Sequence, residues 1–171
     1  LPFLQVALGD FKLVPVVMGD QSLASCEALA EAIAHAVKGT RALIVASSDM
    51  SHFFPSDEAR TLDAAVKRYI EAYDPTGLVT DRKVESSHVC GKAPIATVMM
   101  ACRALGATKG TVIHMANSGD VTGDTRSVVG YLAAAITKPS EAGNGAASST
   151  APKKTSKATP KVGVDLGLSE K

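Results

Sequence analysis

The sequence predicts an α/β domain, a mixed or mostly parallel sheet with helices on both faces. Three observations lead there: short β-branched apolar runs bounded by glycine or polar residues, helical-period segments lying between those runs, and a length that suits one core. The 171 residues, 46% hydrophobic and 20% charged, are enough for one ordinary domain and too few for two with linkers.

Residues 11–18 (FKLVPVVM) and 41–46 (RALIVA) read as strands buried on both faces. Pro15 lacks an amide donor, which places the first near a sheet edge or a break in pairing. Residues 111–116 (TVIHMA) and 127–136 (SVVGYLAAAI) supply two further strands, the second blurred by its alanines. Leu23, Cys26, Leu29, Ile33 and Val37 recur at helical period, with Asp20 or Ser22 placed to cap. Ala59, Leu62, Val66, Tyr69, Ile70 and Tyr73 repeat the pattern after Ser56, a plausible N-cap, with Asp57 and Glu58 in the first turn where the helix dipole favours acid. A third helix is expected from about Pro94, burying Ile95, Val98, Met99, Cys102 and Leu105 and ending at Gly106.

The alternation of strand and helix directs attention to loops that follow strands, because ligands of such sheets sit beyond the strands' carboxyl ends. From Lys138 onward the composition turns to Ala, Ser, Thr, Lys, Gly and Pro, which buries too little apolar surface to offset chain entropy. The expected organisation is therefore a domain over residues 1–137 and a disordered linker or tail over 138–171, with Lys153, Lys154, Lys157 and Lys161 on a solvated spacer.

A formal net charge of +1, from 18 basic and 17 acidic residues, provides no field to gather nucleic acid or anionic membrane. Every apolar run is interrupted well short of the roughly 20 residues that span a bilayer. Cys26, Cys90 and Cys102 have no paired spacing and read as free thiols of a reducing compartment, so a cytoplasmic location is expected. The chain opens Leu1-Pro2-Phe3 without a methionine or a leader pattern, and a missing N-terminal part is expected.

Two constellations carry chemistry. Residues 46–52 (ASSDMSH) follow an expected strand directly, and Asp49 and His52 are close enough for a carboxylate to orient the imidazole, or for both to share a metal or a substrate proton. The alternative is Asp49 or Ser51 capping a turn with His52 merely satisfied nearby. Residues 88–94 (HVCGKAP) put Cys90 just before a helix, where orphan amides and Lys92 favour a thiolate and Gly91 permits close approach of a ligand. An inert, half-buried thiol is the alternative there. Cys26 and Cys102 read as core, His35 as a helix C-terminal residue and His114 as a packed strand residue; His88, beside Cys90, stays ambiguous. Residues 117–124 (NSGDVTGD) lack the spacing and terminal glutamate of an EF-hand, leaving a Gly-rich turn.

Taken in order, Leu1-Pro2-Phe3-Leu4-Gln5, Leu13-Val14-Pro15-Val16, Ser47-Ser48-Asp49-Met50-Ser51-His52, Cys90-Gly91, Asn117-Ser118-Gly119-Asp120 and Val128-Val129-Gly130-Tyr131 resemble the Memo family, whose prokaryotic members are called AmmeMemoRadiSam system protein B. The resemblance implies a fold like the class III extradiol dioxygenases, with a non-haem metal pocket at the carboxyl ends of strands. It implies His52 and Cys90 as metal ligands and Asp49 as a catalytic orienter or proton acceptor, with iron or copper, or zinc, as the ion. The family's other histidine motifs have no counterpart in these residues, so the resemblance implies the C-terminal portion with half of the pocket absent.

Residues 166–171 (LGLSEK) resemble the opening of an AMMECR1 domain, which implies a fusion cut at both ends and, as partners, AMMECR1-domain and radical SAM proteins. The expected function is a metal-binding, dioxygenase-like protein with a redox or oxygenase role on an unidentified small molecule. The alternative is a non-catalytic module that holds a peptide or protein in the same cleft.

Overall fold

The structure, a computed structural model, describes residues 1–84 and 89–139. The expectations for His88 and for the tail lysines lie outside the described residues.

Among the described residues the backbone forms five helices and three strands, with one further short helical turn. In chain order these are Pro2–Leu8 (α1), Leu23–Val37 (α2), His52–Phe54 (β1), Ser56–Glu71 (α3), Pro75–Thr80 (α4), Lys92–Ala104 (α5), Lys109–Asn117 (β2), the turn Gly119–Thr122 (α6) and Val128–Thr137 (β3). Ser22 caps α2 by accepting from the Ser25 amide at 3.2 Å, while Asp20 accepts from the Ser22 amide at 3.0 Å and from both serine hydroxyls. Both expected capping residues therefore take part. Pro55 occupies the N-cap of α3, so Ser56 is its first helical residue, and Asp57 and Glu58 sit in the first turn as the dipole prefers. Gly106, at φ 94°, takes up the left-handed conformation just beyond α5 that a glycine adopts without Cβ strain.

The sheet departs from expectation. Its order is β1-β3-β2, and both pairings are antiparallel. Only residues 118–127 join β2 to β3, and a connection that short suits an antiparallel neighbour, whereas a parallel one needs a crossover of about a dozen residues or more. Residues 11–18 and 41–46 form no strand, because a strand exists only where another backbone pairs with it and neither finds such a neighbour among the described residues. Helices cover one face of the sheet. On the other, Ile113, His114 and Tyr131 are exposed, so His114 is not the packed residue the apolar run suggested.

The core forms where α3, α4 and α5 meet the helix-facing side of β2 and β3. Val66, Ile70, Leu78, Val89 and Met99 are buried there together with Met50, and a leucine as completely enclosed as Leu78 contributes about 1.5–3 kcal/mol. Cys26 is buried against α5, its thiol 3.7 Å from the Ala93 carbonyl. In α5 the fully buried residues are Ala93, Ala96, Thr97, Met99 and Ala101. The larger Ile95, Val98, Cys102 and Leu105 are half-buried instead and line a cavity of about 510 Å3 shared with residues 42–46 and β3. Half-burial raises the Cys102 thiol above its ordinary pKa.

Gly110 sets how closely β2 lies on α3. A Cβ at this position would collide with the backbone carbonyl of Ile70, and backbone gives way less readily than a side chain. Gly110→Ala is expected to lower the unfolding free energy by about 1–3 kcal/mol, read as a lower urea midpoint at unchanged slope.

Candidate functional site

Two connections meet beside the N-terminus of α5. The first begins polar at Ser47, Ser48 and Asp49 and then turns inward, so that Met50 enters the core and Ser51 is wholly enclosed. Its path is set by β3: the Met50 amide donates to the Gly130 carbonyl at 3.0 Å, and the Gly130 amide donates back to the Ser51 carbonyl at 2.9 Å. Beneath this exchange, the Ser51 amide donates to Asp63 Oδ1 of α3 at 2.8 Å. Gly130 is required by close approach, since a Cβ would strike the Asp63 carboxylate and lie 3.0 Å from the Met50 Cβ.

His52 follows as the first residue of β1, opposite Val129. Its Nε2 is 3.6 Å from Asp49 Oδ2, which is an ion-pair distance for a protonated imidazole and too long for a hydrogen bond. Phe53, next along, has φ 65° and is 78% exposed, at an irregularity in the β1–β3 register. A bulky residue in that left-handed region costs of order 1–3 kcal/mol, so the backbone beside His52 is held in an unfavourable conformation by its surroundings. Nothing in the residue pattern signals this.

The second connection carries Cys90 and Gly91 into α5. Ser48 Oγ receives the Gly91 amide at 2.9 Å, donates to the Asp49 carbonyl at 2.7 Å and lies 3.8 Å from Cys90 Sγ. The thiol is also 3.9 Å from the Asp49 carbonyl. Cys90 is exposed, and therefore not the half-buried thiol of the alternative reading. Asp49 and Cys90 are thus carried by two connections that touch through Ser48, with His52 at the start of β1 just beyond the first.

Two sequence-level roles change. Gly91 was expected to admit a ligand, but a Cβ there would lie 2.5 Å from the Ser48 Cβ and 3.0 Å from the Ser47 carbonyl; what it admits is the other loop. Lys92 was expected to act on the Cys90 thiol, yet its ammonium donates to the Val84 carbonyl at 2.9 Å. Ser118, just beyond β2, also supports the site: its amide donates to the Val129 carbonyl at 2.9 Å and its hydroxyl accepts from the Val129 amide at 3.1 Å, bracing the residue opposite His52.

Asp63 is the residue that motif reading passed over. It is 3% exposed, and burial pushes its carboxyl above the usual carboxylate range, against the opposing pull of the Ser51 hydrogen bond and of His52. A signal was available, because Ala59, Asp63, Val66 and Ile70 fall on one helical face and all are buried.

The chain is an α/β domain whose polar connections meet at the start of a helix, and comparison with known proteins places it in a family. A family model described as Memo-like protein matches residues 1–135, and the chain belongs to the Memo family. It is 40% identical over 136 residues to a MEMO1 family protein of Methanosarcina acetivorans, covering 78% of this chain and 51% of that one. It is 37% identical over 132 residues to one from Nitrosopumilus maritimus, with coverages of 77% and 48%. A MEMO1 family protein of Aquifex aeolicus is 37% identical over 133 residues, with coverages of 77% and 50%. The chain spans about half the length of these relatives. Among the described residues, no helix is long and apolar enough to cross a membrane.

Because Asp63 is harder to ionise folded than unfolded, the stability it confers is complete below the ordinary value of 3.8 and is lost as pH rises through the raised folded value. Asp63→Ala is expected to cost about 1–3 kcal/mol near neutral pH, since the buried Ser51 amide loses its acceptor. Asp63→Asn keeps an acceptor, is expected to cost less, and should abolish this fall of stability with rising pH. Urea unfolding of the three proteins across that pH range checks both statements.

Proposed function

We propose that this chain supplies part of a metal-binding cleft in a Memo-type protein related to the class III non-haem dioxygenases, with a redox or oxygenase role. His52 and Cys90 are the ligands in this reading, and Asp49 orients the imidazole or accepts a proton. The observation that carries it is the meeting of the Cys90 loop with the Asp49 loop, thiol to Asp49 carbonyl at 3.9 Å and Asp49 carboxylate to His52 imidazole at 3.6 Å. A fused or partner AMMECR1 domain and a radical SAM protein belong to the same proposal.

The donors do not amount to a complete site. Among the described residues, no group of three His, Cys, Asp or Glu side chains is gathered closely enough to hold an ion, and tight sites use three or more protein ligands. The reading therefore assigns partial ligation to this chain and no reaction step. Imidazole and thiol donors suit iron(II), copper or zinc, while magnesium and calcium prefer all-oxygen shells.

Titration of the chain with iron(II), copper(II) and zinc(II) by calorimetry is expected to give weak binding, with magnesium giving none. His52→Ala and Cys90→Ser should each weaken binding at least about tenfold, which is about 1.4 kcal/mol. Unchanged binding in the double variant would remove both residues from the proposal.

A further inference from the structure

Among the described residues, two other than glycine hold a positive φ, Tyr73 at 53° and Phe53 at 65°. That region costs a bulky residue free energy, so each needs an offset from its surroundings. Tyr73 has one. Its ring packs against the core, its hydroxyl donates to the Met99 carbonyl at 3.0 Å, and the Arg103 guanidinium lies 4.9 Å over its face. Phe53 differs: its ring is 78% exposed, and the aromatic neighbour it meets is the His52 imidazole, with centroids 6.0 Å apart and planes at 53°. An exposed apolar side chain is ordinary by itself, whereas one held at a cost to the backbone points to function.

The register of β1 accounts for the outward ring. From His52 to Phe54 this strand advances two residues while β3 advances one, from Val129 to Val128, so Phe53 is the extra residue of a bulge. A bulge re-aims a side chain that regular alternation would point elsewhere, and bulges are over-represented beside functional sites. The side chain re-aimed here adjoins His52, whose imidazole is partly exposed and lies 3.6 Å from the half-exposed Asp49 carboxylate. One surface thus joins an apolar ring to two polar groups, the combination that fixes and orients a small molecule.

We infer that Phe53 is a ligand-contacting residue beside Asp49 and His52, and that its ring selects the ligand. Because the carboxylate accepts, that ligand is a small molecule that donates a hydrogen bond at its polar end and lays an apolar group against the phenyl. Glycine at position 53 would suit the backbone better, so the phenyl serves contact and not stability. The inference rests on the reading of Asp49 and His52 as a binding cleft and needs no metal.

The test titrates the 171-residue chain with cyclohexanecarboxamide, which joins amide donors to an apolar ring, and with acetamide, which lacks the ring. In NMR spectra, cyclohexanecarboxamide at millimolar concentration is expected to shift the His52 and Phe53 signals, and its own ring protons should move upfield under the phenyl ring current. Acetamide should do neither. Phe53→Gly should weaken probe binding about fivefold, the size of one aromatic contact. The same change should raise the urea midpoint at unchanged slope, because glycine accepts the left-handed backbone. Phe53→Leu should keep the affinity and lose the upfield shift. Absence of a shift at His52 and Phe53 overturns the inference, as does unchanged affinity in Phe53→Gly. A lower urea midpoint in Phe53→Gly also overturns it, because the ring would then serve the fold. Zinc binding that depends on His52, with a probe indifferent to Phe53, removes this inference and leaves the metal reading standing. Probe binding that depends on Phe53, with no zinc binding, does the reverse.

Discussion

A backbone exchange between residues 50–51 and Gly130, lying directly over a buried carboxylate, holds the candidate site in place. Two amide–carbonyl bonds tie this stretch to β3, and the third amide, that of Ser51, ends on Asp63. A buried N–H without an acceptor is costly, so the stretch has little freedom to shift. The polar residues on either side inherit that restraint: Asp49 and Ser48 project just before it, and His52 opens β1 just after it. Only glycine at 130 lets the three layers approach so closely.

A second restraint couples the neighbouring loop. Ser48 holds the Gly91 amide and lies against Cys90, so the thiol is positioned by the same stretch that positions Asp49 and His52. Residues 42 positions or more apart in sequence are thereby brought together by one serine hydroxyl. The strained Phe53 backbone fits this picture, since an unfavourable φ persists only where the surroundings fix the chain on both sides.

Elements stabilised by local periodicity were legible in the residues. The helical period of Leu23 to Val37, the capping residues Asp20 and Ser22, and the glycine after α5 each specify structure within a few turns of chain, and the β2 and β3 runs pair with each other through a short connection. Elements that need a distant partner were not legible. Residues 11–18 and 41–46 have the composition of central strands, yet composition supplies no neighbouring backbone, and among the described residues none pairs with them. The direction of the sheet likewise lies outside the pattern of any one run, as the turn at Gly119–Thr122 makes β2 and β3 an antiparallel pair. At the site, Asp49, His52 and Cys90 stood out by residue type and by their place in ordered motifs. Asp63 did not, because a carboxylate on a helix reads as solvent-facing until its position on the apolar stripe is counted.

This restrained stretch is part of the folded core rather than a surface loop. Native-state hydrogen exchange at the Met50 and Ser51 amides measures it most directly, with the amides of β2 and β3 as the internal reference. Exchange as slow as that reference is predicted for both. Exchange at the rate of an open loop, while β2 and β3 remain protected, would contradict the account.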